Sequence, residues 1–232
     1  GVGDLYAIDA VDANIAVTTS TPSTTTYMFR TTNAGVSWDT VLIQAGGFID
    51  AIKMFDANTG IALGDPVGGR WVIMRTSNGG ATWVRDTLAP LQVGTEAGSN
   101  NGLTAFGTTH IWFASNSAPP KVYRSTDGGA TWSSSVLPFA DTFVAGLAFN
   151  TTTHGVVTGN SGNAARTTDG GATWVSTTIG GTGAAFAATS AGPSELFVTK
   201  GANVYRSTDR GATWTVSYTG AIGTMNHISF AT

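Results

Sequence analysis

The chain has 232 residues, 11 Lys plus Arg against 14 Asp plus Glu, and a formal net charge of −3. With 31 Gly, 11% charged residues, three Lys and two Glu, the composition excludes a coiled coil or helical bundle. It has no Cys, so disulfides, thiolate catalysis and Cys-ligated metal centres are excluded, while the lack of any basic cluster or long apolar run excludes a nucleic-acid footprint and a membrane span.

The Thr-rich, Lys-poor composition points to an extracellular or cell-surface location of a secreted bacterial protein. The chain opens on Gly1-Val2-Gly3 with neither initiator Met nor signal peptide, and reads as a processed or excised segment.

In chain order, strand-like runs of alternating or β-branched residues recur in groups of four. The first group is LYAIDAV, NIAVTT, TTYMFR and VSWDTVLI; the second is FIDAIKMF, GIALGD, RWVIMR and ATWVRDTL. The third is GLTAFG, HIWFAS, KVYRS and ATWSSSVL, and the fourth FVAGLAF, GVVTG, NAARTT and ATWVSTT. The fifth is GAAFAAT, ELFVTK, NVYRST and ATWTVSY. Each group contains one copy of a nonapeptide: RTTNAGVSW, RTSNGGATW, RSTDGGATW, RTTDGGATW and RSTDRGATW. Their tryptophans Trp38, Trp83, Trp132, Trp174 and Trp214 are spaced 45, 49, 42 and 40 residues apart.

The residue types suit a tight hairpin. Asn33, Asn78, Asp127, Asp169 and Asp209 have short side chains able to accept backbone N–H bonds within the turn. Gly35, Gly80, Gly129, Gly171 and Gly211 stand where a positive φ is required. Each tryptophan is expected to bury its ring on a neighbouring strand. The Arg opening every copy is read as structural, because a catalytic residue has no reason to recur in each repeat.

The shared pattern, Ser/Thr-x-Asp/Asn-x-Gly-x-Ser/Thr-Trp, resembles the Asp-box (BNR repeat) of sialidase-like propellers. Four short strands per 40–45 residues is the signature of a β-propeller blade. The expected fold is therefore all-β: five four-stranded antiparallel blades at approximately 1–45, 46–90, 91–138, 139–180 and 181–220, within a propeller over 1–224. The segment Met225–Thr232 is left over as an extra strand. It either begins a further blade of a longer propeller, packs outside a closed five-blade ring, or pairs with another chain or domain. The closed ring is the preferred reading.

Function is expected where the repeat is interrupted. GDPVGGRW over 64–71 and APLQVGTEAGSNN over 89–101 fall at the junction of the second and third blades, on the face opposite the Asp-boxes. Asp65, Arg70, Trp71, Glu96 and Asn101 are the candidate ligand-binding residues, with Glu96 as acid/base candidate and Trp71 as stacking surface. These segments also look like those of secreted bacterial Asp-box proteins described as photosystem-assembly-factor-like. That resemblance implies kinship without implying activity.

No catalytic residue is assigned. The resemblance to sialidases implies three converging Arg, and only Arg70, Arg85 and Arg210 lie outside the repeated position. Xyloglucanase-like relatives use two Asp across a cleft between two large propellers, and Asp50 or Asp65 with Glu96 or Asp141 meets the two-carboxylate requirement on paper. His110, His154 and His227 are isolated, so no metal or cofactor is expected. The reading is a non-catalytic interaction or assembly module. Its partner is a protein, the chain itself through Met225–Thr232, or a surface glycan; a glycoside hydrolase is the alternative.

Overall fold

The computed structural model describes residues 3–100, 102–220 and 223–229, and every regular element among them is a strand. Twenty strands form five four-stranded sheets, each an antiparallel meander in chain order. The first sheet comprises β1 (Leu5–Ala10), β2 (Ala16–Ser20), β3 (Thr25–Thr31) and β4 (Asp39–Ala45). The second comprises β5 (Ile49–Met54), β6 (Gly60–Val67), β7 (Arg70–Thr76) and β8 (Val84–Arg85). The third has β9 (Leu103–Phe106), β10 (His110–Ser115), β11 (Lys121–Ser125) and β12 (Ser133–Val136). The fourth has β13 (Val144–Phe149), β14 (Gly155–Gly159), β15 (Ala164–Thr167) and β16 (Val175–Thr177). The fifth has β17 (Ala185–Ser190), β18 (Leu196–Lys200), β19 (Asn203–Ser207) and β20 (Thr215–Thr219). These are the five blades. The chain divides between Leu103 and Thr104 into two compact units, the first holding the first two blades.

Burial follows strand position. The second strands β14 and β18 are buried along their whole length, whereas the last strand β20 is exposed throughout. A strand buried on both faces is expected to be mostly apolar, and GVVTG and LFVTK begin so, each ending on buried polar residues: Thr158 in the first, Thr199 and Lys200 in the second. Neighbouring blades pack through these faces. In the first unit Val17 and Met28 meet Ile52, Ala62, Met74 and Trp83. In the second unit Trp112 and Val122 meet Leu147, Val157, Ala165 and Trp174. Trp112 lies parallel to Phe149 with ring centroids 3.7 Å apart, and Phe149 meets Trp174 edge-on at 5.9 Å. Each such aromatic pair contributes about 1 kcal/mol beyond its buried area.

The five Asp-boxes form the third-to-fourth-strand hairpins and share one hydrogen-bond pattern. The Ser/Thr hydroxyl accepts the N–H of the box glycine: Thr31 from Gly35 at 3.0 Å, Thr76 from Gly80 at 2.9 Å, Ser125 from Gly129 at 2.7 Å, Thr167 from Gly171 and Ser207 from Gly211 at 2.8 Å. The Asx oxygen accepts an N–H four residues on: Asn33 from Ser37, Asn78 from Thr82, Asp127 from Thr131 and Asp169 from Thr173 at 2.9 Å, and Asp209 from Thr213 at 2.8 Å. All five box glycines hold φ between 80° and 86°, where a Cβ is strained. The Trp83, Trp132 and Trp214 indoles each donate to their own box glycine carbonyl. Trp174 donates instead to Ser135 Oγ at 3.0 Å, which passes the bond on to the Gly171 carbonyl at 2.7 Å.

Two box arginines join their blade to the next, whereas Arg75 and Arg206 bind Asp86 and Glu195 of their own blades. Arg30 Nε donates to the Gly79 carbonyl at 2.7 Å, and Arg124 Nη1 to the Asp169 carbonyl at 3.2 Å.

Three features differ from the sequence reading. The fourth strand of each blade begins after the box tryptophan, so β8 shrinks to Val84–Arg85; the tryptophan belongs to the turn, and the indoles of Trp83, Trp132 and Trp214 bond a turn carbonyl there. The segment 64–71 is no open loop. β6 runs on through Asp65-Pro66-Val67 and returns through the two-residue turn Gly68-Gly69, at φ 66° and 76°, which suits a twisted hairpin. Finally, residues 225–229 of the expected extra strand carry no strand, and 230–232 lie outside the described residues. A single backbone bond, from the Met225 N–H to the Gly201 carbonyl at 3.2 Å, does not make a ladder.

Candidate functional site

The segments 64–71 and 89–100 do come together, and the physical reason is a backbone strap. The Trp71 N–H donates to the Pro90 carbonyl at 3.0 Å and the Gln92 N–H to the Gly69 carbonyl at 3.0 Å, laying the long connection along β7. Arg70 Nη1 bonds the Ala89 carbonyl. Asp65 Oδ1 accepts the Gly98 N–H at 2.6 Å. Glu96 is buried and closes its own turn, Oε2 accepting the Val93 N–H at 2.9 Å while its carbonyl accepts Gln92 Nε2 at 2.9 Å. Asp65, Arg70 and Glu96 therefore all bond the backbone of this connection. Trp71, expected as a stacking surface, is instead fully buried in the core and presents no ring face to solvent. β7 is buried from Trp71 through Met74, so both of its faces are covered and the indole is enclosed. Asn101 lies outside the described residues.

Beneath the strap sits Asp50, the second residue of β5 and 6% exposed. Its Oδ2 is buried and has no hydrogen-bond partner. A Cβ on Gly98 would lie 1.8 Å from that oxygen, so only glycine fits there. Burial, and then the negative charge of Asp65, push the Asp50 carboxyl up to about 8. The chain thus brings Asp50 and Asp65 together, one neutral at pH 7 and roofed by backbone, the other holding that roof. Asp141 is bound locally in the fourth blade, accepting Asn163 Nδ2 at 2.7 Å and the Ser161 N–H at 3.0 Å. Pairing patterns in the sequence offered Asp50 only as one of several carboxylates; its burial has no local signature.

The box carboxylates behave oppositely. The Thr213 hydroxyl and amide hold Asp209 down to about 2. Burial raises Asp169, but the Thr173 hydroxyl and amide outweigh it and bring this carboxyl also to about 2. Among the described residues no group of three or more His, Asp or Glu is arranged to hold a metal ion.

A second feature lies on the third blade. Ala118, Pro119, Val136, Leu137, Pro138, Phe139 and Ala140 line an open apolar groove of about 450 Å³. The turn after β10 supplies one wall and the end of β12 the other, tied by the Leu137 N–H to the Pro120 carbonyl at 2.9 Å. This groove is on the side of the blade away from its Asp-box, and no sequence pattern marked it.

The BNR/Asp-box repeat family matches residues 123–134, the third of the five boxes. No curated protein matches the chain by sequence. Among solved structures the chain is similar to YCF48 bound to D1 peptide, with TM-score 0.59, 15% identity, and 93% of this chain covering 81% of that one. YCF48 from Cyanidioschyzon merolae gives TM-score 0.58, 13% identity, and coverage of 92% and 84%. The GH74 xyloglucanase from Xanthomonas campestris gives TM-score 0.63 and 16% identity over 90% of this chain, but only 37% of the enzyme. An ancestral GH74 enzyme gives 0.66 and 17% over 96% of this chain and 32% of that one. The chain thus spans about a third of the GH74 enzymes. Repeat and fold together define an Asp-box β-propeller, and the neighbours with that fold include both a peptide-bound protein and glycoside hydrolases.

Proposed function

We propose that this propeller is a non-catalytic module that binds a protein partner, taking an extended apolar segment in the groove between Pro119 and Phe139. The observation that carries this reading is the contrast between two surfaces. The polar residues of the 64–71 and 89–100 cluster are engaged with their own backbone, whereas the groove presents an apolar wall to solvent. Concave apolar surfaces with a few backbone polar groups are what peptide segments dock into. The solved structure of YCF48 with D1 peptide supports the choice of a peptide as ligand, since it shows a propeller of this fold in that role. We place the module outside a bacterial cell, as its composition suggests.

The test is selection of peptides from a random display library on the wild type, with Val136→Glu as counter-selection; Val136 is exposed, so the change leaves the core intact. Peptides rich in apolar residues and proline should be enriched, and should bind the variant at least tenfold more weakly. Equal binding to both overturns the groove assignment. The Asp50–Asp65 pair favours a second reading, a hydrolase acting on a β-glucan of the xyloglucan type. Hydrolysis of xyloglucan that is lost in Asp65→Asn would establish it, and would refute the non-catalytic reading.

A further inference from the structure

Every Asp-box turns through one left-handed residue between its Asx and its glycine. Ala34 fills that place at φ 57°, Gly79, Gly128 and Gly170 at 66°, 72° and 73°, and Arg210 at 61°. A side chain is disfavoured there, and the hairpin makes no use of this one. The bonds of Asp209 with Ser207 and Thr213 are those of Asp169 with Thr167 and Thr173. An arginine held against its own backbone preference is explained by what it faces outside the turn.

That is set by the junction between the fourth and fifth blades, both within the second unit. The Thr177 hydroxyl donates to the Gly211 carbonyl at 2.9 Å, and Asn150 Nδ2 to the Pro193 carbonyl at 3.0 Å. These bonds seat the fifth box on the fourth blade, so that a Cβ on Gly211 would lie 3.5 Å from Arg166 Cβ. Arg30 and Arg124 each use the same position to reach a backbone carbonyl of the following box. Here the following box carries a second guanidinium, and Arg166 makes no such bond. Among the described residues neither Arg166 nor Arg210 has a hydrogen bond or an ion pair.

His154 completes the cluster. It immediately precedes β14, in which Val156 pairs with Arg166 across the sheet. Its Nδ1 is engaged by the Thr151 and Thr153 hydroxyls at 3.3 and 2.8 Å, which leaves Nε2 open. Burial, and then the charges of Arg210 and Arg166, hold this imidazole below its ordinary value. The box carboxylates Asp169 and Asp209 are occupied inside their own hairpins by Thr173 and Thr213. Two guanidiniums and an imidazole thus share one place on the Asp-box side of the second unit, with their positive charge unanswered.

We infer that His154, Arg166 and Arg210 form a binding site for a tetrahedral oxyanion, a phosphate or sulfate group, free or carried as a monoester on a sugar. Guanidinium N–H pairs match the oxygen edges of such a group and give charge-assisted bonds. Imidazole Nε2 adds a third donor, and the anion supplies the counter-charge that His154 lacks when it takes up a proton. This site is separate from the groove of the third blade and does not rest on it.

The probe is sulfate, whose charge is constant while histidine titrates, compared with chloride at equal ionic strength. The readout is the His154 imidazole by NMR, assigned with His154→Gln. Sulfate should raise the His154 midpoint by about one unit, equivalent to about tenfold tighter binding to the protonated form, while His110 shows no difference between the salts. Arg210→Gly restores the residue that three other boxes carry, and Arg166→Met keeps the apolar stem. Each should weaken sulfate binding at least tenfold. In chloride alone each should raise the His154 midpoint, because a neighbouring positive charge is gone. Calorimetry of inorganic phosphate against glucose 6-phosphate separates the sources. Tighter binding of the ester assigns the group to a sugar; binding of the ion at least as tight assigns it to free phosphate. A His154 midpoint equal in the two salts, sulfate binding that survives Arg210→Gly, or no binding of either phosphate overturns the proposal.

Discussion

Replacing Asp50 by Asn should remove a proton that folding now retains. In the folded chain the Asp50 carboxyl is buried, its Oδ2 unpartnered beneath Gly98, and its protonation midpoint lies at about 8. In the unfolded chain it returns to the ordinary value of about 3.9. A raised carboxyl stabilises fully below the unfolded midpoint and loses that contribution as pH rises to the folded one. Between pH about 4 and 8 the folded state holds one proton more, and stability falls by about 1.4 kcal/mol per pH unit, roughly 5 kcal/mol in all. Asn keeps the size of Asp and cannot titrate. Urea unfolding followed by tryptophan fluorescence at pH 5, 6, 7 and 8 and constant ionic strength should show the stability of wild type minus Asp50→Asn falling at that slope, moving steadily in favour of the variant. Parallel profiles would mean that Asp50 is ionised in the folded chain, and the burial argument would be refuted.

Two further tests concern the Asp-boxes. Gly80→Ala places a Cβ at φ 81° and 2.6 Å from Val17 Cγ2 of the neighbouring blade, whereas Gly35→Ala meets nothing nearer than 3.9 Å at φ 84°. The first should cost roughly 2–4 kcal/mol and the second about 1 kcal/mol; equal losses in urea midpoint would show that the junction tolerates the extra methyl. Asp209→Ala should cost about 1 kcal/mol at pH 6, a value kept small by solvent screening of this exposed carboxylate. Because the folded carboxyl is held at about 2 by Thr213, its contribution is present above pH about 4 and disappears as pH falls toward 2. Thermal unfolding of both proteins should converge there, and a difference that persists unchanged at pH 2 would remove the charge from the explanation.

The hairpins were legible because their bonds close within four residues. Thr31 to Gly35 and Asn33 to Ser37 are complete inside one nonapeptide, so the residue types state the turn, and five turns at near-constant spacing state five blades of four strands. The same locality explains the box arginines only in part: their recurrence marked them as structural, but the carbonyls that Arg30 and Arg124 reach belong to the next blade, 49 and 45 residues on.

The meeting of 64–71 with 89–100 was also foreseeable, since both interrupt the repeat at one blade junction. What those residues do there was decided elsewhere. Strand alternation presents Arg70 and Trp71 to opposite faces, but it does not say that the face of Trp71 would be wholly covered. Nor does any local pattern tell Asp65 to hold Gly98, or place Gly98 over Asp50, its neighbour in space from 48 residues away in sequence. By itself the sequence determined the repeating unit, its turns and its strand count, all consequences of short-range backbone chemistry. Only the tertiary structure decided which polar groups lost their water, because burial depends on what other parts of the chain lie on top of them.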